Sequence, residues 1–235
     1  MIFDGLRVVV TGAGRDTGRT LALAFAARGA HVTVSARDPA AAARTAETIG
    51  AGTAEAFACD LADPDSVRGF AAALATRTDR IDVLVNNGAA YLPGTGLDDA
   101  SDEDIVNTIA GAATGTILLT RHLLPLLRAS DRPDIVNLVS ACGEVGHHRS
   151  EAHPAYYAAK HAQAGFAGIL SHRLRAEGIR IISLYPPDFV QDDGPRGSGA
   201  PLTARSVVEC VLFAVGQPRD CFIREFHFEQ VRPGP

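Results

Sequence analysis

The chain has 235 residues, 46% of them hydrophobic and 21% charged, with a formal net charge of -5. This length can bury a sizeable core in one domain, and the acidic balance leaves no electrostatic footprint for nucleic acid or an anionic membrane. No apolar run approaches the roughly 20 residues of a membrane span, and the opening "MIFDGLRVVVTGAG" reads as strand and turn rather than as a leader, so a cytoplasmic protein is expected.

In chain order, short β-branched runs alternate with longer Ala-rich stretches. "LRVVVTG" (6–12) reads as a strand and "TGRTLALAFAARG" as a helix. "HVTVSA" (31–36) is a strand, "AAAARTAETIG" a helix and "AEAFACD" a strand. "DPDSVRGFAAALATR" follows with Asp63 as N-cap, and "IDVLVNN" is the next strand. "SDEDIVNTIAGAATGTILLTRHLLPLL" reads as one long helix capped by Ser101, with acids in its first turn, where they suit the helix dipole. Strands at 134–140, 179–185 and 221–226 are separated by helices at about 155–177 and 203–216. Strands this apolar are buried on both faces, so the alternation predicts a doubly wound α/β sandwich of Rossmann type with a seven-stranded parallel sheet. One domain over 1–235 is expected, with a short loop at about 186–202. Cys59, Cys142, Cys210 and Cys221 show neither C-x-x-C nor metal-ligand spacing, so reduced thiols and no metal are expected.

"VVVTGAGRDTGRT" links the first strand to the first helix. Glycines in such a turn let backbone N–H groups approach a pyrophosphate at the helix N-terminus. The second strand ends at Ala36 without an acid, and Arg37 follows. An acid there suits a ribose 2′-hydroxyl and an arginine suits a 2′-phosphate, so Arg37, with Arg15 in the loop, points to NADP(H) over NAD(H). Lys160 is the only lysine in the chain and stands four residues after Tyr156 on a predicted helix, so the two share a face. A phenol with pKa about 10 is a poor base at neutral pH, and a nearby ammonium favours its ionised form.

Taken together, T-G-x-x-x-x-x-G (11–18), "CDL" (59–61), "VNNGA" (85–89), "IVNLVS" (135–140), Y-x-x-x-K (156–160) and "YPPD" (185–188) resemble, in order and spacing, a short-chain dehydrogenase/reductase. The resemblance runs from about residue 5 to 226. It implies Tyr156 as general acid/base, Ser140 bonded to the substrate oxygen, and Lys160 on the nicotinamide ribose, lowering the tyrosine pKa. It implies Gly12, Thr17 and Gly18 at the pyrophosphate, Asp60 and Leu61 at the adenine, Asn86 and Gly88 at the adenine ribose and central sheet, and Pro186 near the nicotinamide. The implied reaction is NADPH-dependent interconversion of a ketone and a secondary alcohol, by a homodimer or homotetramer acting on a small molecule.

The chain departs from the family pattern at several points. Asp16 replaces the middle glycine of the phosphate loop and is harmless there if it caps the helix at Thr17. Gly14 restores some flexibility, two positions early. The family's helix asparagine aligns with Ala112, and Asn107 lies roughly 140° around the helix from it, too far to substitute. "NNGA" replaces N-N-A-G, and Pro187 replaces a glycine after Pro186. The insert "EVGHHRSEAHP" (144–154) brings His147, His148 and His153 near the site, of which the adjacent pair is expected to face solvent. Cys142 is expected to pack, and Tyr157 to pack or to line the pocket. Ala112 and Asp16 keep two other readings open: a non-redox reaction on the same fold (epimerisation, dehydration or rearrangement), or an NADP(H)-binding protein without turnover.

Overall fold

The computed structural model describes residues 2–191 and 201–230. Its strands are β1 (Arg7–Thr11), β2 (His31–Ala36), β3 (Ala54–Ala58), β4 (Val83–Asn86), β5 (Asp134–Leu138), β6 (Arg180–Tyr185) and β7 (Glu225–His227). They form one sheet in the order β3-β2-β1-β4-β5-β6-β7, and every pair is parallel. The helices are α1 (Asp16–Ala26), α2 (Pro39–Ile49), α3 (Pro64–Ala75), α4 (Asp102–Ile109), α5 (Gly115–Arg128), α6 (Pro154–Leu174) and α7 (Ala204–Gly216). The strand order reverses between β1 and β4, and the C-terminal ends of those strands open the crevice where this topology binds ligands.

Two cores explain why β4, β5 and β6 are buried at every position. Leu21 and Phe25 of α1, Ala42 of α2 and Val207 and Val211 of α7 pack on one face of the sheet. Val67 and Phe70 of α3, Leu119 and Leu123 of α5 and Leu174 of α6 pack on the other. A strand covered on both sides has no polar face to display, so its sequence loses period-two alternation.

The expected caps form: Asp63 accepts from the Asp65 N–H at 2.8 Å and Ser101 Oγ from the Asp104 N–H at 3.1 Å. Two elements differ from expectation. The long helix is interrupted by a π-helical turn, Ala110–Thr114, where Gly115 approaches Leu61 too closely to admit a Cβ. The last strand begins at Glu225 rather than Cys221, and the Cys221 carbonyl instead accepts from the Arg180 guanidinium at 2.7 Å. No helix of the described residues is long and apolar enough to cross a membrane.

Candidate active site

The turn from β1 into α1 is locked to the end of β4 by interleaved backbones. Gly12 has φ +63, and a Cβ there would meet the Gly88 Cα at 2.7 Å; one on Gly18 would collide with the Gly12 carbonyl. Thr11 Oγ1 accepts from the N–H groups of Asn87 (3.0 Å) and Gly88 (2.9 Å), and Asn87 Nδ2 donates to the Thr11 carbonyl at 2.9 Å. Asn87, the second asparagine of "VNN", is thus the side chain that fixes this turn, a role the sequence reading did not assign. Asn86 points instead into the sheet, donating to Asn137 Oδ1 (3.0 Å) and Thr120 Oγ1 (3.3 Å). Leu61 packs against Gly88, and the Asp60 carboxylate accepts from the Ala62 N–H at 2.9 Å.

Asp16 makes no capping bond. The N-cap is Arg15, and Asp16 is the first residue of α1 at φ +48, in the left-handed region that glycine enters without penalty. The backbone therefore keeps a glycine-like conformation although the residue has changed. The Asp16 carboxylate is exposed and pairs with Arg15 at 3.4 Å, which offsets part of its charge. Gly14 has no positive φ; its value is close approach, since a Cβ there would meet Ala41 Cβ at 2.8 Å. Thr17 is buried, and its hydroxyl donates to Gln191 Oε1 at 3.1 Å, tying the turn to the segment after β6. Arg37 is exposed one residue past β2.

Ser140, Tyr156 and Lys160 come together beyond the end of β5. Ser140 has φ 108 and ψ 150, a backbone region essentially reserved for glycine, and its Oγ accepts from the Cys142 N–H at 3.2 Å. Pro186 is buried beside it, accepting from the Ala141 N–H at 2.9 Å. α6 begins at Pro154, and buried His153 caps it by accepting from the Ala155 N–H at 3.1 Å. Spacing on α6 then puts Tyr156 and Lys160 on one face, with the Lys160 Nζ 5.6 Å from the centre of the Tyr156 ring. Lys160 is only 2% exposed and donates to the Leu138 carbonyl (2.9 Å) and Gln163 Oε1 (3.0 Å).

Burial governs the charges of this group. Removal from water disfavours the ammonium and lowers the Lys160 pKa to about 7, against a smaller opposing effect of Cys142. Burial also pushes the Tyr156 phenol well above its ordinary value; Cys142 and Tyr91 add to that, and a hydrogen bond with Ser140 opposes it. The net direction is therefore opposite to the expected lowering of the Tyr156 pKa, and desolvation of the phenolate is its largest cause. Tyr91, unassigned by the sequence reading, meets Tyr156 edge-on at 5.3 Å between centroids.

Ala112 is fully buried inside the π-helical turn, and Asn107 is exposed, so Asn107 does not take its place. Tyr157 is half-buried, and its hydroxyl bonds both the N–H and the carbonyl of Ser150, each at 3.2 Å, pinning the insert. His148 is exposed, while His147 is half-buried and lines the cleft described next. Cys142 is buried.

A cleft of about 690 Å³ opens beside Ala141, lined by Glu144, Arg149, Asp188 and His227 among others. His227 stacks on Tyr185 at 4.7 Å and bonds Glu144, which raises its pKa. The 186–202 loop closes at its base, where Val190 N–H donates to the Leu202 carbonyl at 2.9 Å; residues 192–200 lie outside the described residues. Among the described residues, no group of three His, Cys, Asp or Glu side chains could hold a metal ion.

Residues 7–192 match the family model of the short chain dehydrogenases. The chain is 31% identical over 203 residues to D-threitol dehydrogenase of Mycolicibacterium smegmatis, covering 83% of this chain and 76% of that protein. With mouse retinol dehydrogenase 13 it shares 33% identity over 77% of this chain but only 58% of that protein. A metagenomic short-chain oxidoreductase solved in complex with NADP superposes with a TM-score of 0.83 at 28% identity, over the full length of both chains. On this combination of sheet order, site and sequence, the chain belongs to the short-chain dehydrogenase/reductase family.

Proposed function

We propose that the chain, as one dinucleotide-binding unit, interconverts a ketone and a secondary alcohol with NADP(H), using Tyr156 as acid/base. The observation that carries this reading is the buried Lys160 amine 5.6 Å from the centre of the Tyr156 ring on the shared face of α6. The residues at the β1–α1 turn fit the cofactor. Gly12 and Gly18 leave no space for side chains, so backbone lies bare at a helix N-terminus. Exposed Arg15 and Arg37 offer cations to a 2′-phosphate. Bound NADP(H) would supply or accept the hydride.

In this reading Ser140 holds the substrate oxygen by its hydroxyl. Tyr156, kept protonated by burial, donates its proton to the alkoxide formed in reduction; oxidation needs the phenolate and is favoured by higher pH. Lys160 holds the nicotinamide ribose, and Asp60, Leu61, Asn86 and Gly88 shape the adenine side. The unit is expected to pair with further copies of itself through α5 and α6, where Ile117 and Ile169 are exposed.

Nicotinamide absorbance followed with a panel of ketones and alcohols tests the reaction. Tyr156→Phe is expected to lower turnover by about 10²-fold or more while leaving NADP(H) affinity within about twofold. Turnover retained in that variant removes the tyrosine from the chemistry. NADP(H) binding without turnover of any ketone or alcohol favours a non-redox or sensing role.

A further inference from the structure

Gln163 is 1% exposed on α6, three residues past Lys160, and its Oε1 accepts from the lysine amine at 3.0 Å. The Leu138 carbonyl accepts at 2.9 Å. An ammonium carries three N–H groups, so these two acceptors fix its orientation and leave one N–H for the site. A fully buried glutamine is unusual, and its chemistry at this position is selective. An apolar side chain would leave the amine one protein acceptor. A carboxylate would bind it more strongly but hold it charged. The same molecule displays that second arrangement at Arg180, which lies on the Asp134 carboxylate at 2.7 Å.

The elements packed around Lys160 bring few competing charges. The 3-10 turn after β5 contributes Cys142, and α6 itself contributes Tyr156. The acids of α4 (Asp102, Glu103 and Asp104) are exposed in its first turn, and the π-helical turn presents Gly111, Ala112 and Ala113. β6 carries Arg180 at its start and Tyr185 at its end, and the turn after α6 carries exposed Arg175 and Glu177.

We propose that Gln163 is a positioning residue whose neutral amide oxygen fixes the Lys160 amine beside Tyr156 while leaving that amine free to gain or lose its proton. This rests on the proposed oxidoreductase reading for its purpose, though not for its test. Because Lys160 is the only lysine, labelling the intact protein with ¹³C,¹⁵N-lysine gives a single side-chain resonance whose pH titration is read by NMR without assignment. The midpoint expected for the parent protein is about 7. Gln163→Glu, nearly identical in shape, is expected to move it upward by about one to three pH units. Gln163→Leu is expected to move it downward and to lower kcat about tenfold at unchanged KM for the ketone. Should the leucine variant fail to fold, the glutamate variant alone decides. A midpoint that Gln163→Glu leaves in place overturns the proposal. A parent protein inactive on every ketone and alcohol would defeat the proposed function and leave this titration intact.

Discussion

β5 and β6 run side by side, and their two ends treat a buried cation in opposite ways. At their N-terminal ends Arg180, 4% exposed, sits bidentate on Asp134, with Arg219 on the same carboxylate and four backbone carbonyls around the Arg180 guanidinium. Both cations there share one buried counter-charge. At their C-terminal ends Lys160 is as deeply buried but has only two neutral acceptors, and Ser140 beside it holds a glycine-like backbone. Paired charge holds the strands together. Unpaired charge and strain lower local stability and leave a proton free to move, which is why perturbed groups mark functional sites.

The largest expected effects come from breaking each end in turn. Asp134→Asn leaves the buried guanidinium without its carboxylate and is expected to cost about 3–5 kcal/mol of stability in urea unfolding, with kcat at saturating substrate within about twofold. Lys160→Met is expected to reverse the pattern, lowering turnover about 10²-fold or more. Its stability has a pH signature. Between about 7 and 10.5 the native amine of the parent protein has lost its proton while the unfolded amine keeps it, so the parent gains stability as pH rises. The Tm of the methionine variant relative to the parent should therefore fall from pH 7 to pH 10. A constant difference would mean that the amine titrates normally, and the contrast between the two strand ends would fail.

How much of that contrast is visible in sequence depends on where the interacting partner lies. The apolar strands are continuous local runs and the Tyr156–Lys160 face is a local pattern of period 3.6, and both read directly. So does the exposed Arg37 at the end of β2. Asp134 and Arg180 are 46 residues apart and meet only because β5 pairs with β6 in register. Nothing in "DIVNLVS" announces a buried ion pair. Asn87 and Gln163 are silent in the sequence for a related reason: each binds through a close approach set by neighbours, Thr11 for one and the Lys160 rotamer for the other. The rise in the Tyr156 pKa follows from burial, which an alignment of motif letters does not carry.

A smaller effect separates strain from chemistry at Ser140. Glycine enters its backbone region freely, so Ser140→Gly is expected to be more stable than Ser140→Ala by about 1–2 kcal/mol in thermal unfolding. Both should lose turnover, since both remove the hydroxyl. Equal stabilities would show that the surrounding turn bears no strain, and the C-terminal end would then differ from the N-terminal end in charge alone.

The smallest expected effect tests whether strain at this edge of the sheet always serves function. Asp16 is held at φ +48 as Ser140 is held at 108, but its carboxylate is exposed and paired with Arg15, within the turn proposed to receive a pyrophosphate. Asp16→Gly removes the strain and a negative charge together. The expected gain is about 0.5–1 kcal/mol in stability, with NADP⁺ binding tightened about threefold to tenfold in calorimetric titration. Ser140 would then trade stability for activity, whereas Asp16 would give up both stability and cofactor affinity without a return. A Kd that weakens in the glycine variant would assign the Asp16 carboxylate a positive part in binding, and its left-handed backbone would belong with Ser140 as strain kept for chemistry.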